Sequence, residues 1–131
     1  MRRLTIFTTM QYSERMKTRK ITETKYFHKA ITNLIKKRQI LQEDFDDFTR
    51  ELAKNPEMGD VVVGTNGVRK ARLKSASRGK SGGSRVCYYD LTLKNEVFLL
   101  LIYTKNQQET LTTDDKKDLK ELVTIIRRGN Q

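Results

Sequence analysis

The chain of 131 residues contains one cysteine, one histidine, one proline and no tryptophan. A single thiol, Cys87, excludes an internal disulfide, and with only His28 beside it no Cys/His cage for structural zinc can assemble. The same scarcity argues against Ser-His-Asp catalysis, so neither metal nor other cofactor is expected. No apolar run approaches the ~20 residues that a membrane-spanning helix requires, and no membrane partner is expected. The first twenty residues lack the ~7–15 residue apolar core of a secretory leader, which points to a cytoplasmic protein.

Positive charge, by contrast, is abundant. Lys and Arg number 27 against 16 Asp and Glu, a formal net charge of +11. The excess is segregated: residues 1–40 carry 11 basic and 2 acidic groups, residues 41–60 carry 2 and 7, and residues 61–90 carry 7 and 1. A small protein with two basic clusters flanking an acidic stretch is steered towards polyanions, and nucleic acid is the first partner to consider.

The length suits one domain. Residues 1–20 read as a basic N-terminal extension, either disordered or the product of an overlong start, since Met10 and Met16 offer later ones. Residues 21–131 read as the folded unit. Phe27, Ile31, Leu34 and Ile35 fall at helical spacing between Lys25 and Arg38, and Phe45, Phe48 and Leu52 do so between Glu43 and Lys54, before Asn55-Pro56 breaks the run. Strand signals follow at Val61–Val63, Val68–Lys74, Arg85–Leu91 and Val97–Thr104, with Lys94-Asn95 as a turn between the last two. The run Val97–Ile102 is apolar at both parities, as in a central strand covered on both faces. Thr112 ahead of Thr113-Asp114-Asp115 resembles a capping box opening a helix that carries Leu119, Leu122, Val123 and Ile126. The expected class is α+β: an N-terminal helical hairpin packed on a small antiparallel sheet, with a C-terminal helix.

Residues 64–89 hold the chemistry. Gly79-Lys80-Ser81 invites a phosphate-binding P-loop, but Lys74 stands where that motif needs glycine, and a strand rather than a helix follows. Residues 75–84 read instead as a hairpin loop in which Arg78 and Lys80 meet phosphate. Period-two geometry sets Lys70, Arg72 and Lys74 on one face of their strand and Arg85, Cys87 and Tyr89 on one face of the next, so that Arg72 and Arg85 converge. Such a surface suits RNA cleavage by the adjacent 2′-hydroxyl, because arginine forks hold charge on a phosphorane and no external nucleophile is needed. Cys87 reads as a packing residue, and His28 as a surface residue without chemistry. Tyr89 and Tyr103 are candidates for stacking bases.

Three ordered blocks then become recognisable. Glu57-Met-Gly-Asp-Val-Val-Val-Gly-Thr-Asn-Gly-Val-Arg-Lys-Ala-Arg, Gly79-Lys-Ser-Gly-Gly-Ser-Arg-Val-Cys-Tyr-Tyr and Phe98-Leu-Leu-Leu-Ile-Tyr-Thr-Lys-Asn closely resemble the RelE/HigB type of bacterial toxin, over roughly Ile21 to Ile126. The resemblance implies a ribosome-dependent mRNA endonuclease that needs no metal, with mRNA on the ribosome as substrate and a cognate helix-turn-helix antitoxin as partner. By position it implies Arg72, Arg78, Lys80 and Arg85 as the catalytic set, and Lys105 as a basic residue past the last strand. Lys70, Lys74, Tyr89, Tyr103 and Lys105 are expected to bind RNA. Ser81 and Ala76 depart from the family pattern, each standing where relatives carry a further basic residue. Two other readings stay open: a gyrase poison of the same fold, and a nucleic-acid-binding module without activity.

Overall fold

The structure, a computed structural model, describes residues 18–75 and 83–129. Its elements run β1 (Lys20–Glu23), α1 (Lys25–Lys36), α2 (Gln42–Lys54), β2 (Asp60–Val61), β3 (Arg69–Leu73), β4 (Ser84–Leu91), β5 (Glu96–Thr104) and α3 (Thr113–Gly129). Each helix begins and packs for a local reason. Thr24, in extended conformation, caps α1 by accepting from the Phe27 amide, and Phe27, Ile31 and Leu34 form the buried stripe. Helix α2 opens with Glu43 and Asp44 at its positive end and buries Phe45, Phe48 and Leu52. At α3 the capping box forms: the Asp115 amide donates to Thr112 Oγ1 at 3.0 Å, and the Thr112 amide donates back to Asp115 Oδ2 at 2.9 Å.

The five strands form one sheet in the order β1-β5-β4-β3-β2. It is mixed rather than wholly antiparallel, because β1 runs parallel to β5 while the other neighbours are antiparallel. No strand was anticipated at β1, whose four residues contain one strongly apolar side chain, Ile21, and no visible alternation. Long-range bonds hold it instead. The Arg19 amide donates to Ala53 O at 2.8 Å, and its guanidinium reaches Asp90 Oδ1 at 2.8 Å and Asn95 Oδ1 at 2.7 Å. Lys20 therefore belongs to the sheet and Arg19 is bonded beside it, and a boundary at Ile21 falls inside the edge strand.

Two cores lie on opposite faces. Phe27, Leu34, Phe45, Leu52, Ala71, Leu73, Val86, Tyr88, Val97, Leu99 and Ile102 pack with α1 and α2, whereas Val68, Cys87, Tyr89, Leu100, Tyr103, Leu119 and Val123 pack beneath α3. Strand β5 serves both faces through a bulge. Cys87 pairs with Leu101 but Tyr88 with Leu99, leaving Leu100 as the extra residue, so the inward parity changes from Val97 and Leu99 to Ile102. The apolar run at both parities thus has a geometric use. The strand expected at Val61–Val63 shrinks to a two-residue edge, with Val61 and Val63 exposed. Gly64, Asn66 and Gly67 adopt positive φ and turn the chain there, around a buried Thr65 whose Oγ1 accepts from the Val68 amide.

Candidate phosphate-binding and active site

Register determines what the basic residues can do together. Arg72 on β3 pairs with Arg85 on β4, which pairs with Tyr103 on β5, so the three form one cross-strand row. The next row on the same face is Lys70, Cys87 and Leu101. Lys74 directly follows β3, and Lys105 follows the Ser84–Thr104 pair, which brings both exposed lysines to the same end of the sheet. Like charges directly opposite one another destabilise a strand pair, so Arg72 against Arg85 is a cost that framework alone does not require.

Gly83 shows how closely the two arginines approach. A Cβ placed on Gly83 would stand 2.7 Å from Arg72 Nε and 3.2 Å from Arg85 Nη1. The two nitrogens therefore lie within about 6 Å of each other, the sum of those distances, close enough for one anion to neutralise both. Arg72 is exposed and Arg85 half-buried, so the forks remain within reach of a ligand.

Not every candidate joins this cluster. Tyr89 is 7% exposed beneath α3, with its hydroxyl accepting from Arg127 Nε at 2.9 Å and the Arg127 guanidinium 5.9 Å from the ring centroid. Its ring is already occupied by the protein's own cation. Tyr103 lies in the row but is 3% exposed, its ring enclosed in the α3-side core and its hydroxyl buried without a hydrogen-bond partner among the described residues. Burial pushes the Tyr103 phenol up, with nearby Arg85 partly opposing the shift, so the group stays protonated and is a donor rather than a base. Cys87 is wholly buried and its thiol is pushed up to about 12 by that burial, partly offset by Lys70, which leaves no thiolate for nucleophilic chemistry. His28 is exposed, and its Nδ1 meets Glu23 Oε1 at 3.0 Å. Arg78 and Lys80, with Ala76 and Ser81, lie outside the described residues.

Among the described residues no three His, Cys, Asp or Glu side chains come together as a metal site needs. No described helix is long and apolar enough to cross a membrane. An apolar groove of about 420 Å³ runs between β5 and α3, lined by Tyr26, Leu100, Leu101, Leu122 and Ile125. Asp115, Asp118 and Glu121 also line it, so its charge is opposite in sign to that of the arginine row. Sequence reasoning did not single out Gly83, because the room above its α-carbon exists only once two strands have paired.

The fold is that of a small mixed α/β protein with two arginines paired across β3 and β4. The family model for the RelE toxin of the RelE / RelB toxin-antitoxin system matches residues 19–130, and the chain belongs to that family. Its members are toxins that act with a cognate antitoxin and are generally translation-inhibiting ribonucleases.

Proposed function

We propose that the protein is a ribosome-dependent mRNA endonuclease that works without a metal ion. The observation that carries this reading is the pairing of Arg72 with Arg85, whose forks close on one point above Gly83. A scissile phosphate bound there places two guanidinium groups against its non-bridging oxygens. The 2′-oxygen attacks the adjacent phosphorus, the bond to the 5′-oxygen breaks, and a 2′,3′-cyclic phosphate and a 5′-hydroxyl result. Charge on the phosphorane rises along this path, so cations fixed in advance stabilise the transition state more than the bound substrate. Arg78 and Lys80 complete the catalytic set, and Lys70, Lys74 and Lys105 hold the flanking backbone. Tyr103, kept protonated, braces the row beside Arg85, and neither it nor Tyr89 stacks a base. The ribosome supplies the message in the decoding site, and a cognate helix-turn-helix antitoxin restrains the toxin in the cytoplasm.

Inducible expression in a bacterium, with primer extension on a reporter mRNA, tests this reading. Wild-type protein is expected to arrest growth and produce new translation-dependent 5′ ends that disappear in Arg85→Ala. Arrest without cuts overturns it in favour of a gyrase poison, and expression without arrest in favour of a binding module.

A further inference from the structure

We propose that Gly83 is a positioning residue for the two arginines: its bare α-carbon is the floor on which the Arg72 and Arg85 side chains meet. The inference rests on the endonuclease reading above and adds a residue that makes no contact with substrate.

The nearest atoms to a Cβ built on Gly83 are Arg72 Nε at 2.7 Å, Arg85 Nη1 at 3.2 Å and Arg72 Cγ at 3.4 Å, and all three belong to arginine side chains. Real Cβ atoms do not approach a nitrogen to 2.7 Å, so any larger residue at this position displaces the Arg72 fork. Side-chain tips can yield where backbone cannot, and the displacement leaves the strands paired. Gly59 is the internal control. A Cβ there would meet Lys70 O and the Tyr88 hydroxyl, each at 2.8 Å, and Lys70 C at 3.0 Å, so its missing side chain makes room for framework. The nearest neighbours of the open position at Gly83 are, by contrast, arginine side-chain atoms rather than backbone. Gly83 also lies buried directly before β4, where Ser84 pairs with Leu73 and with Thr104, and this anchors the glycine against the row it supports. The bare position brings two cations into one ligand's reach, and misplacing such a pair by about 1 Å costs on the order of 100-fold in rate.

The test is single-turnover and steady-state cleavage of a reporter mRNA on translating ribosomes, using full-length wild type, Gly83→Ala, Arg72→Ala and Arg85→Ala, with thermal unfolding of each. Gly83→Ala is expected to unfold cooperatively close to the wild-type temperature and to lose about 100-fold in kcat, with KM for programmed ribosomes within about twofold. Wild-type kcat in Gly83→Ala, with both arginine variants inactive, overturns the positioning role and leaves the endonuclease reading standing. Failure of Gly83→Ala to fold overturns it as well, because the glycine then belongs to the framework. Full cleavage by Arg72→Ala and Arg85→Ala overturns the endonuclease site itself, and the role of Gly83 with it.

Discussion

Two differently filled glycine positions lie beside β3, one against Lys70 and the other against Arg72, towards opposite ends of the strand. At one end Gly59 lies against Lys70 O, and the Tyr88 hydroxyl accepts from the Gly59 amide at 2.9 Å while donating to Pro56 O at 2.8 Å. Every polar group of that contact is satisfied, and Tyr88 is fully buried. At the other end Gly83 lies against two arginine side chains, with the Tyr103 hydroxyl buried and, among the described residues, unpartnered one strand away. The first end is arranged as framework is arranged. The second sets two like charges opposite each other across the strands. That imbalance distinguishes a site from a support.

Substitutions at the two ends sharpen the contrast. The largest effect expected is on activity: Arg85→Ala should lower mRNA cleavage by about 100-fold or more while leaving the unfolding midpoint close to that of the wild type. A clear loss of stability in denaturant titration would mean that Arg85 belongs to the framework. Gly59→Ala should do the reverse, costing about 1–3 kcal/mol because the added methyl meets backbone and a hydrogen-bonded phenol. Tyr88→Phe should cost about 1–3 kcal/mol by stranding the Gly59 amide, with cleavage by the folded fraction retained. Unaltered stability in either variant would remove the distinction between the ends.

Smaller effects concern the α3 side. Thr112→Ala removes one half of the capping box and should cost about 1 kcal/mol. The Thr112 amide and Gln108 hold the Asp115 carboxyl below the usual carboxylate range. A depressed folded value means that this stabilisation is complete above the unfolded pKa of about 4 and fades as pH falls through the folded value. Unfolding titrations of Asp115→Asn and wild type should therefore converge at low pH, and a constant gap would refute the assignment. Cys87, with its raised thiol, is expected to resist alkylation in the native protein at pH 8 and to react at once in denaturant. Rapid native labelling would show that the strand opens.

The basic row was half legible from sequence. Alternation put Lys70, Arg72 and Lys74 on one face and Arg85 with Cys87 on another, but it said nothing about which residue lies opposite which. Pairing of Arg72 with Arg85 follows from the register of β3 against β4. Alternation also set Tyr89 beside Arg85, although α3 covers that stretch of the face and Arg127 occupies the tyrosine.

What the amino-acid sequence determined by itself is local. Helical spacing in α1 and α2, the Thr112–Asp115 cap and the turn at Asn95 depend on residues close together in the chain, and each is present in the folded protein. Tertiary structure alone decided the features that join distant segments. Edge strand β1 is held by Arg19 reaching Asp90, 71 residues away, the bulge at Leu100 turns one strand towards two cores, and the space above Gly83 arises from β3 and β4 together. Their free energy comes from contacts whose partners are unknown until the chain has closed on itself, so no window of neighbouring residues contains them.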